Sequence, residues 1–98
     1  MRSVVWSSDT LDDFATAIAY IAAENPVAAD LVAERIFAAI EMLADHPTGQ
    51  QGRVKGTYEK YLHKTAYIVA YVMSERSISV VRLFHAKRDW RPGEWPKE

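Results

Sequence analysis

The residue types in this chain that could do chemistry are cations and aromatic rings, and they are concentrated in its second half. Cationic side chains pair with phosphates and aromatic rings stack on bases, so this mixture is typical of a surface that contacts RNA or DNA. It suits equally well an acidic, amphipathic peptide laid across a sheet. The candidate partner-binding residues are Arg53, Lys60, Tyr61, Arg82, His85, Lys87, Arg88 and Trp90.

The net charge of −1 conceals a strong division of charge along the chain. Residues 1–50 contain eight acidic and two basic residues, a net charge of −6, whereas residues 51–98 contain ten basic and five acidic residues, a net charge of +5. Such asymmetry indicates a polyanionic or acidic partner for the basic half. The alternative is intramolecular, because two oppositely charged layers of one domain attract each other.

Arg82 interrupts an otherwise apolar stretch, at a position that alternates with Val80 and Phe84. It needs a partner or an exit at the sheet edge, because burying an unpaired charge costs several kcal/mol. A helix carboxylate such as Glu34 or Glu41 would supply that partner. Arg82 therefore has two interpretations, a structural ion pair and a contact to another molecule.

Several kinds of site are disfavoured by the sequence. The chain has no cysteine, which excludes a disulfide framework and a thiolate metal site and fits a reducing cytoplasm. His46, His63 and His85 lack the spacing of metal ligands. The glycines after residue 48 are not followed by a helix N-terminus, so they do not form a phosphate cradle. We expect no metal and no cofactor.

Residues 1–6 lack the apolar region of a signal peptide, and no stretch approaches the roughly 18 apolar residues of a membrane span. We therefore expect a cytoplasmic protein without membrane contact. Almost half of the 98 residues are apolar, which is enough for one hydrophobic core but not for two. Residues 1–98 are predicted to form a single domain.

Two amphipathic helices are predicted in the acidic half. Apolar residues recur at spacings of three and four through residues 11–22 and again through residues 29–43. The polar residues 7–9 offer caps for the first helix, and negative charge near its start suits the helix dipole. Asn25 would cap the second helix, which Pro26 would begin. The short break between the helices makes them an antiparallel hairpin, whose apolar stripes need a covering layer.

Strands are predicted over residues 2–6, 58–63, 66–73 and 78–85. The continuous apolar run of the third is expected of a central strand. The last three strands are joined by connections too short for parallel crossovers, so they form an antiparallel meander. The predicted fold class is α+β, with the order β-α-α-β-β-β and the helical hairpin packed on an antiparallel sheet.

Motifs along almost the whole chain resemble the RelE/ParE toxin superfamily. Each motif is short, and it is their order and spacing that carry the resemblance. They comprise Trp6-Ser7, the helix from Asp12-Asp13-Phe14 to Tyr20-Ile21-Ala22, Asn25-Pro26-Val27-Ala28-Ala29, Ile40-Glu41-Met42-Leu43 with His46-Pro47, Gly52-Arg53-Val54, Tyr67-Ile68-Val69-Ala70-Tyr71, and Val81-Arg82-Leu83-Phe84-His85-Ala86-Lys87-Arg88-Asp89-Trp90. The topology of that superfamily matches the predicted element order.

The resemblance implies a growth-inhibiting toxin that is neutralised by a cognate antitoxin, whose disordered tail folds onto the toxin. Two targets are implied within the superfamily. RelE-type members cleave messenger RNA in the ribosome with strand lysines and arginines. ParE-type members block DNA gyrase and are not thought to be enzymes. An acidic, amphipathic antitoxin tail is expected to lie on the basic half of this chain.

The RelE pattern fits this sequence poorly. Glu59 and Tyr61 stand where the strand lysines would be, Ile68 replaces the arginine that would bind the scissile phosphate, and Arg88 alone matches. Metal-free RNA cleavage needs cations that stabilise charge on the phosphate, and losing one such donor costs roughly 10²–10³ in rate. The resemblance therefore favours a ParE-like toxin that acts on DNA gyrase.

Two alternatives stay open at this point. The first is a metal-free, ribosome-dependent endoribonuclease, for which the candidate catalytic residues are Lys60, His85 and Arg88, provided that they converge. The second is a non-toxic binding module derived from such a toxin.

Overall fold

The computed structural model describes residues 2–87 and places two helices against one face of a five-stranded sheet. The predicted α+β fold and element order are confirmed, and a two-residue strand appears within the segment predicted to be a loop. The elements in chain order are β1 (Ser3–Trp6), α1 (Ser8–Ala22), α2 (Pro26–Met42), β2 (Gln50–Gln51), β3 (Tyr58–Tyr61), β4 (Tyr67–Met73) and β5 (Ser77–His85).

The strands are arranged in the order β1-β5-β4-β3-β2. The predicted antiparallel meander is confirmed, and β2 adds to it in the same sense. Strand β1 pairs with β5 in parallel, with Ser3 opposite Ser77 and Trp6 opposite Val80. Two helices and three strands separate β1 from β5, so no tight hairpin forces this pair to be antiparallel.

Both helices begin where their caps predict. The side chain of Ser7 accepts a hydrogen bond from the N–H of Thr10 at 3.0 Å, and Asn25 Oδ1 accepts one from the N–H of Ala28 at the same distance. Pro26 follows as the first residue of α2, where its missing N–H is not needed. These contacts fix where the two helices begin, and the sequence predicted both.

The core lies between the helices and the sheet. Trp6 links the layers, because its ring meets Phe14 of α1 edge-on at 5.6 Å and stacks on Phe37 of α2 at 6.1 Å. Each large side chain that is fully buried in this layer contributes about 1.5–3 kcal/mol. The buried apolar residues of the core are Ile36, Ile40, Leu43, Leu62, Val69, Tyr71, Ile78, Val80 and Leu83.

A β-bulge interrupts β5. Val80 pairs with Tyr71 and Arg82 pairs with Ala70, so Val81 is an extra residue on this strand. The expectation that residues 80, 82 and 84 alternate regularly on one side is therefore wrong. Val80 lies in the core against the helices, whereas Phe84 belongs to a second apolar cluster.

Beyond the end of β1, residues at the start of α1 form hydrogen bonds with the backbone of β5. The backbone N–H of Ser7 still donates to Val80 O at 3.0 Å, and the hydroxyl of Thr10 donates to the same carbonyl at 2.9 Å. One turn later, Asp13 Oδ2 accepts the backbone N–H of Leu83 at 3.0 Å. Side chains at a spacing of three thus satisfy backbone groups that a neighbouring strand would otherwise satisfy.

Arg82 forms its ion pair with Asp13. The distances are 2.7 Å from Nε to Oδ2 and 3.0 Å from Nη2 to Oδ1, and each side chain is more than four-fifths buried. The proposed partners Glu34 and Glu41 were wrong, because α1 rather than α2 runs along this edge of β5. The carboxylate of Asp13 is thus held between α1 and β5 and is not a solvated group on the helix surface.

We predict that Asp13→Ala lowers the free energy of unfolding by about 2–4 kcal/mol. The substitution removes the carboxylate that accepts hydrogen bonds from the guanidinium of Arg82 and from the N–H of Leu83. Urea unfolding at neutral pH measures the loss, and Asp30→Ala, an exposed carboxylate on α2, is the matched control, with an expected change within about 0.5 kcal/mol. A loss below about 1 kcal/mol in Asp13→Ala would contradict the role given to this pair.

A second prediction concerns Tyr71, which is fully buried, stacks on Tyr58 at 5.6 Å and donates a hydrogen bond to Thr48 O at 3.0 Å. Burial raises the pKa of Tyr71, and the charge of Tyr58 raises it further. The unfolded chain therefore loses this proton first as the pH rises through about 10, so stability falls in that range. We expect a shallower decline above about pH 10 in Tyr71→Phe, measured by urea unfolding, and parallel curves would refute the assignment.

Candidate functional site

The sheet has a second face, turned away from the helices, which we call the far face. Because side chains alternate along each strand, the register places Glu59 beside Ala70 and Tyr61 beside Ile68 on this side. Its centre is buried and apolar, and Tyr61 at its rim is 55% exposed. The apolar residues of the far face are Ile68, Ala70, Val72, Val81 and Phe84.

The far face collects the three positions at which the sequence departs from the RelE pattern. The carboxylate of Glu59 accepts three hydrogen bonds from Arg53. The hydroxyl of Tyr61 donates to Thr65 O at 2.7 Å, and Ile68 is half-buried and apolar. The positions that would have to stabilise charge on a phosphate thus form one surface, but they supply an acid, a phenol and an alkyl group.

Arg53 brings a cation to this face, and that cation is already engaged. Its Nε and Nη2 lie 3.0 Å and 3.2 Å from the Glu59 carboxylate, and its guanidinium carbon lies 4.9 Å from the ring centre of Phe84. The tight loop that presents Arg53 is closed by a hydrogen bond from Gly52 N–H to Thr57 O at 2.8 Å. A partner that used this guanidinium would first have to compete with Glu59.

Lys60 lies on the helix side of the sheet, because it pairs with Val69 of the core. It lines a groove of about 290 Å³ together with His46 and His63, beneath the exposed side chain of Met42 at the end of α2. This groove brings together two histidines that are far apart in the sequence. Their separation along the chain gave no signal of that proximity.

His85 also lies on the helix side, but in a different groove. Its ring meets Tyr67 edge-on at 5.4 Å, and its Nδ1 accepts the backbone N–H of Lys87 at 3.1 Å. The candidate catalytic residues Lys60 and His85 therefore line two separate grooves. Lys87 is exposed, and Arg88 and Trp90 lie outside the residues that the structure describes.

Within residues 2–87 the structure contains neither a candidate metal site nor a candidate membrane-spanning helix. No three histidine or carboxylate side chains in this range are grouped so that they could hold a metal ion. None of the helices in this range is long and apolar enough to cross a membrane.

Comparisons with known proteins agree on one family. The sequence model of the ParE toxin of the type II toxin–antitoxin system parDE matches residues 4–90. A predicted toxin of Sinorhizobium fredii, Y4kP, is 38% identical over 73 residues, which are 74% of this chain and 75% of that protein. Toxin RelE2 of Caulobacter vibrioides is 30% identical over 89 residues, which are 90% of this chain and 99% of that protein.

A solved structure supports the same fold. A chain from a chromosomal ParDE toxin–antitoxin system of P. aeruginosa superposes with a TM-score of 0.81. The superposition covers 87% of this chain and 96% of that chain at 16% identity. At this level of identity the likeness concerns the arrangement of helices and strands.

We predict that Glu59→Ala loosens the loop that carries Arg53. The substitution removes the acceptor of the Arg53 backbone N–H, 2.8 Å away, and half of a partly exposed ion pair, so we expect a loss of about 1 kcal/mol. Amide hydrogen exchange at Arg53 should then accelerate about fivefold. Glu75→Ala in the exposed turn before β5 is the control, and equal exchange at Arg53 in both variants would disprove the role of Glu59.

Proposed function

The chain belongs to the ParE toxin family of type II toxin–antitoxin systems, and from that membership we propose a finer function. The protein inhibits bacterial growth by acting on DNA gyrase. It works in the cytoplasm and is neutralised there by a cognate antitoxin. The proposed inhibition is by binding, without a catalytic step and without a cofactor.

The observation that carries this proposal is the chemistry of the far face. Cleavage of a phosphodiester without a metal requires preorganised cations that meet the charge developing on the phosphate. On the far face, Glu59 neutralises Arg53 instead, and Ile68 offers no charge at all. Arg82 is also held, in its pair with Asp13. A surface of this kind suits protein docking better than phosphoryl chemistry.

The same face supports the proposed antitoxin contact. The half-buried side chains of Ile68 and Val72 and the exposed ring of Tyr61 offer apolar surface to one side of an amphipathic segment. The remaining apolar residues of this face are already buried within the fold. The wider set of partner-binding residues stays a prediction. Within it, Lys60 and His85 lie on the helix side, so one straight segment on the far face would not touch them.

A second candidate is ribosome-dependent cleavage of messenger RNA. The observation that favours it is the similarity to a protein named Toxin RelE2 over 90% of this chain. It would require Lys60, His85 and Arg88 to act together, although Lys60 and His85 line different grooves. A gyrase-directed toxin is therefore the better supported function.

We predict that the purified protein arrests DNA supercoiling by gyrase in vitro at a molar excess of toxin. Addition of the antitoxin encoded beside the toxin gene should restore supercoiling, because it sequesters the toxin. Undiminished supercoiling at every toxin concentration would refute the proposal.

Primer extension on translated message supplies the complementary measurement. Cuts that appear on induction and disappear in Arg88→Ala would establish the ribonuclease instead. Induction that neither slows growth nor cuts message would identify a non-toxic binding module.

A further inference from the structure

A groove of about 350 Å³ separates α1 from the C-terminal end of β5, and we call it the α1 groove. Its volume is sufficient for one long side chain. Residues of the first helix line one wall, and residues of β4 and β5 line the other. The lining residues used below are Asp12, Tyr20, Tyr67, Leu83 and His85.

The α1 groove carries one uncommitted negative charge. Asp13 at its end is occupied by Arg82 and by the backbone N–H of Leu83. Asp12 lines the same groove and forms no hydrogen bond or ion pair with any residue in the range 2–87. A cation that enters the groove can therefore pair with Asp12 without displacing another residue in the range 2–87.

Aromatic rings line both walls of the α1 groove. Tyr67 is held edge-on by the ring of His85, and Tyr20 projects from α1 with three-quarters of its surface exposed. Like any tyrosine, Tyr67 carries a neutral phenol at physiological pH, and burial and the nearby Tyr20 raise its pKa further. Tyr67 therefore presents its ring rather than a charge to a bound cation.

We propose that the α1 groove binds an arginine side chain of the antitoxin, with its guanidinium paired to Asp12 and packed on Tyr20 and Tyr67. A planar guanidinium can bind a carboxylate and stack on an aromatic ring at the same time, which a lysine ammonium does less well. The molecule already uses both contacts internally. Asp13 binds the guanidinium of Arg82 through both oxygens, and Arg53 lies over the ring of Phe84.

The antitoxin is the chosen source because the α1 groove is continuous with the far face. At the end of β5, Phe84 lines the groove together with Leu83 and His85, and it also belongs to the apolar cluster of the far face. A segment that lies on the far face can therefore reach the groove by passing around one strand edge. This inference rests on the proposed neutralisation by an antitoxin. It places one arginine in an antitoxin tail that is otherwise expected to be acidic.

The first experiment tests the groove with small probes and needs neither gyrase nor antitoxin. N-acetyl-arginine amide is titrated into the intact protein while the ring signals of Tyr20 and Tyr67 are followed by NMR. The neutral isostere N-acetyl-citrulline amide and N-acetyl-lysine amide are titrated in parallel. We expect the arginine probe to bind in the millimolar range, the lysine probe more weakly, and the citrulline probe not at all.

Asp12→Asn should weaken binding of the arginine probe about fivefold, the upper end for one exposed charge pair. Asp30→Asn, an exposed carboxylate on α2, should leave it unchanged. Ring signals that do not respond to the arginine probe, or that respond equally to the citrulline probe, would overturn the site. Such a failure would leave the gyrase proposal intact, because that assay does not involve the groove.

The second experiment tests the identity of the partner. Affinity for the neighbouring antitoxin is measured by calorimetry for wild type, Asp12→Asn, Tyr20→Ala and the control Asp30→Asn. We expect losses of about tenfold in the two groove variants and none in the control, since Tyr20 is exposed and its loss does not disturb the core. Unchanged affinity in both groove variants would overturn the assignment to the antitoxin.

Discussion

The carboxylate of Asp13 holds the junction on which both surfaces of this toxin depend. Within residues 2–87, β1 pairs with β5 as far as Val80, and from there α1 lies along the exposed edge. Asp13 accepts the backbone N–H of Leu83 and both arms of the guanidinium of Arg82. Asp13 thereby sets the distance between α1 and the end of β5. That end of β5 forms one wall of the α1 groove and contributes Phe84 to the far face.

The bulge at Val81 lets a single strand serve two surfaces. Before it, β5 sends Val80 into the core; after it, Leu83 faces the helices while Phe84 faces away. A regular strand would keep one alternation throughout, and Arg82 would then compete with the core for the same side. Because the register shifts by one residue, the side chain of Arg82 reaches the edge of the sheet, where it pairs with the carboxylate of Asp13. The charge and the apolar surface are thereby separated without a break in the sheet.

Local features of the sequence predicted much of this architecture. Ser7 and Asn25 identified both helix starts, because capping depends on residues three positions apart. The parallel pairing of β1 and the Asp13–Arg82 pair were not predicted, since each joins segments that lie far apart in the sequence. The bulge between the neighbouring strands β4 and β5 was not predicted either, because no local pattern marks it. For the site, the resemblance identified Glu59, Tyr61 and Ile68 as a set, and the strand register explains why they share a face. That Glu59 binds Arg53 follows from the loop geometry rather than from composition.

The pairing of Ser3 with Ser77 determines when the chain can complete its fold during translation. The first strand has no partner until the last strand has been synthesised, and such long-range pairing is slow to form because a large loop must close first. The α1 groove and the far face both include residues of β5, so a partly made chain possesses neither surface. Both surfaces are therefore complete only after β5 has been synthesised and has paired with β1.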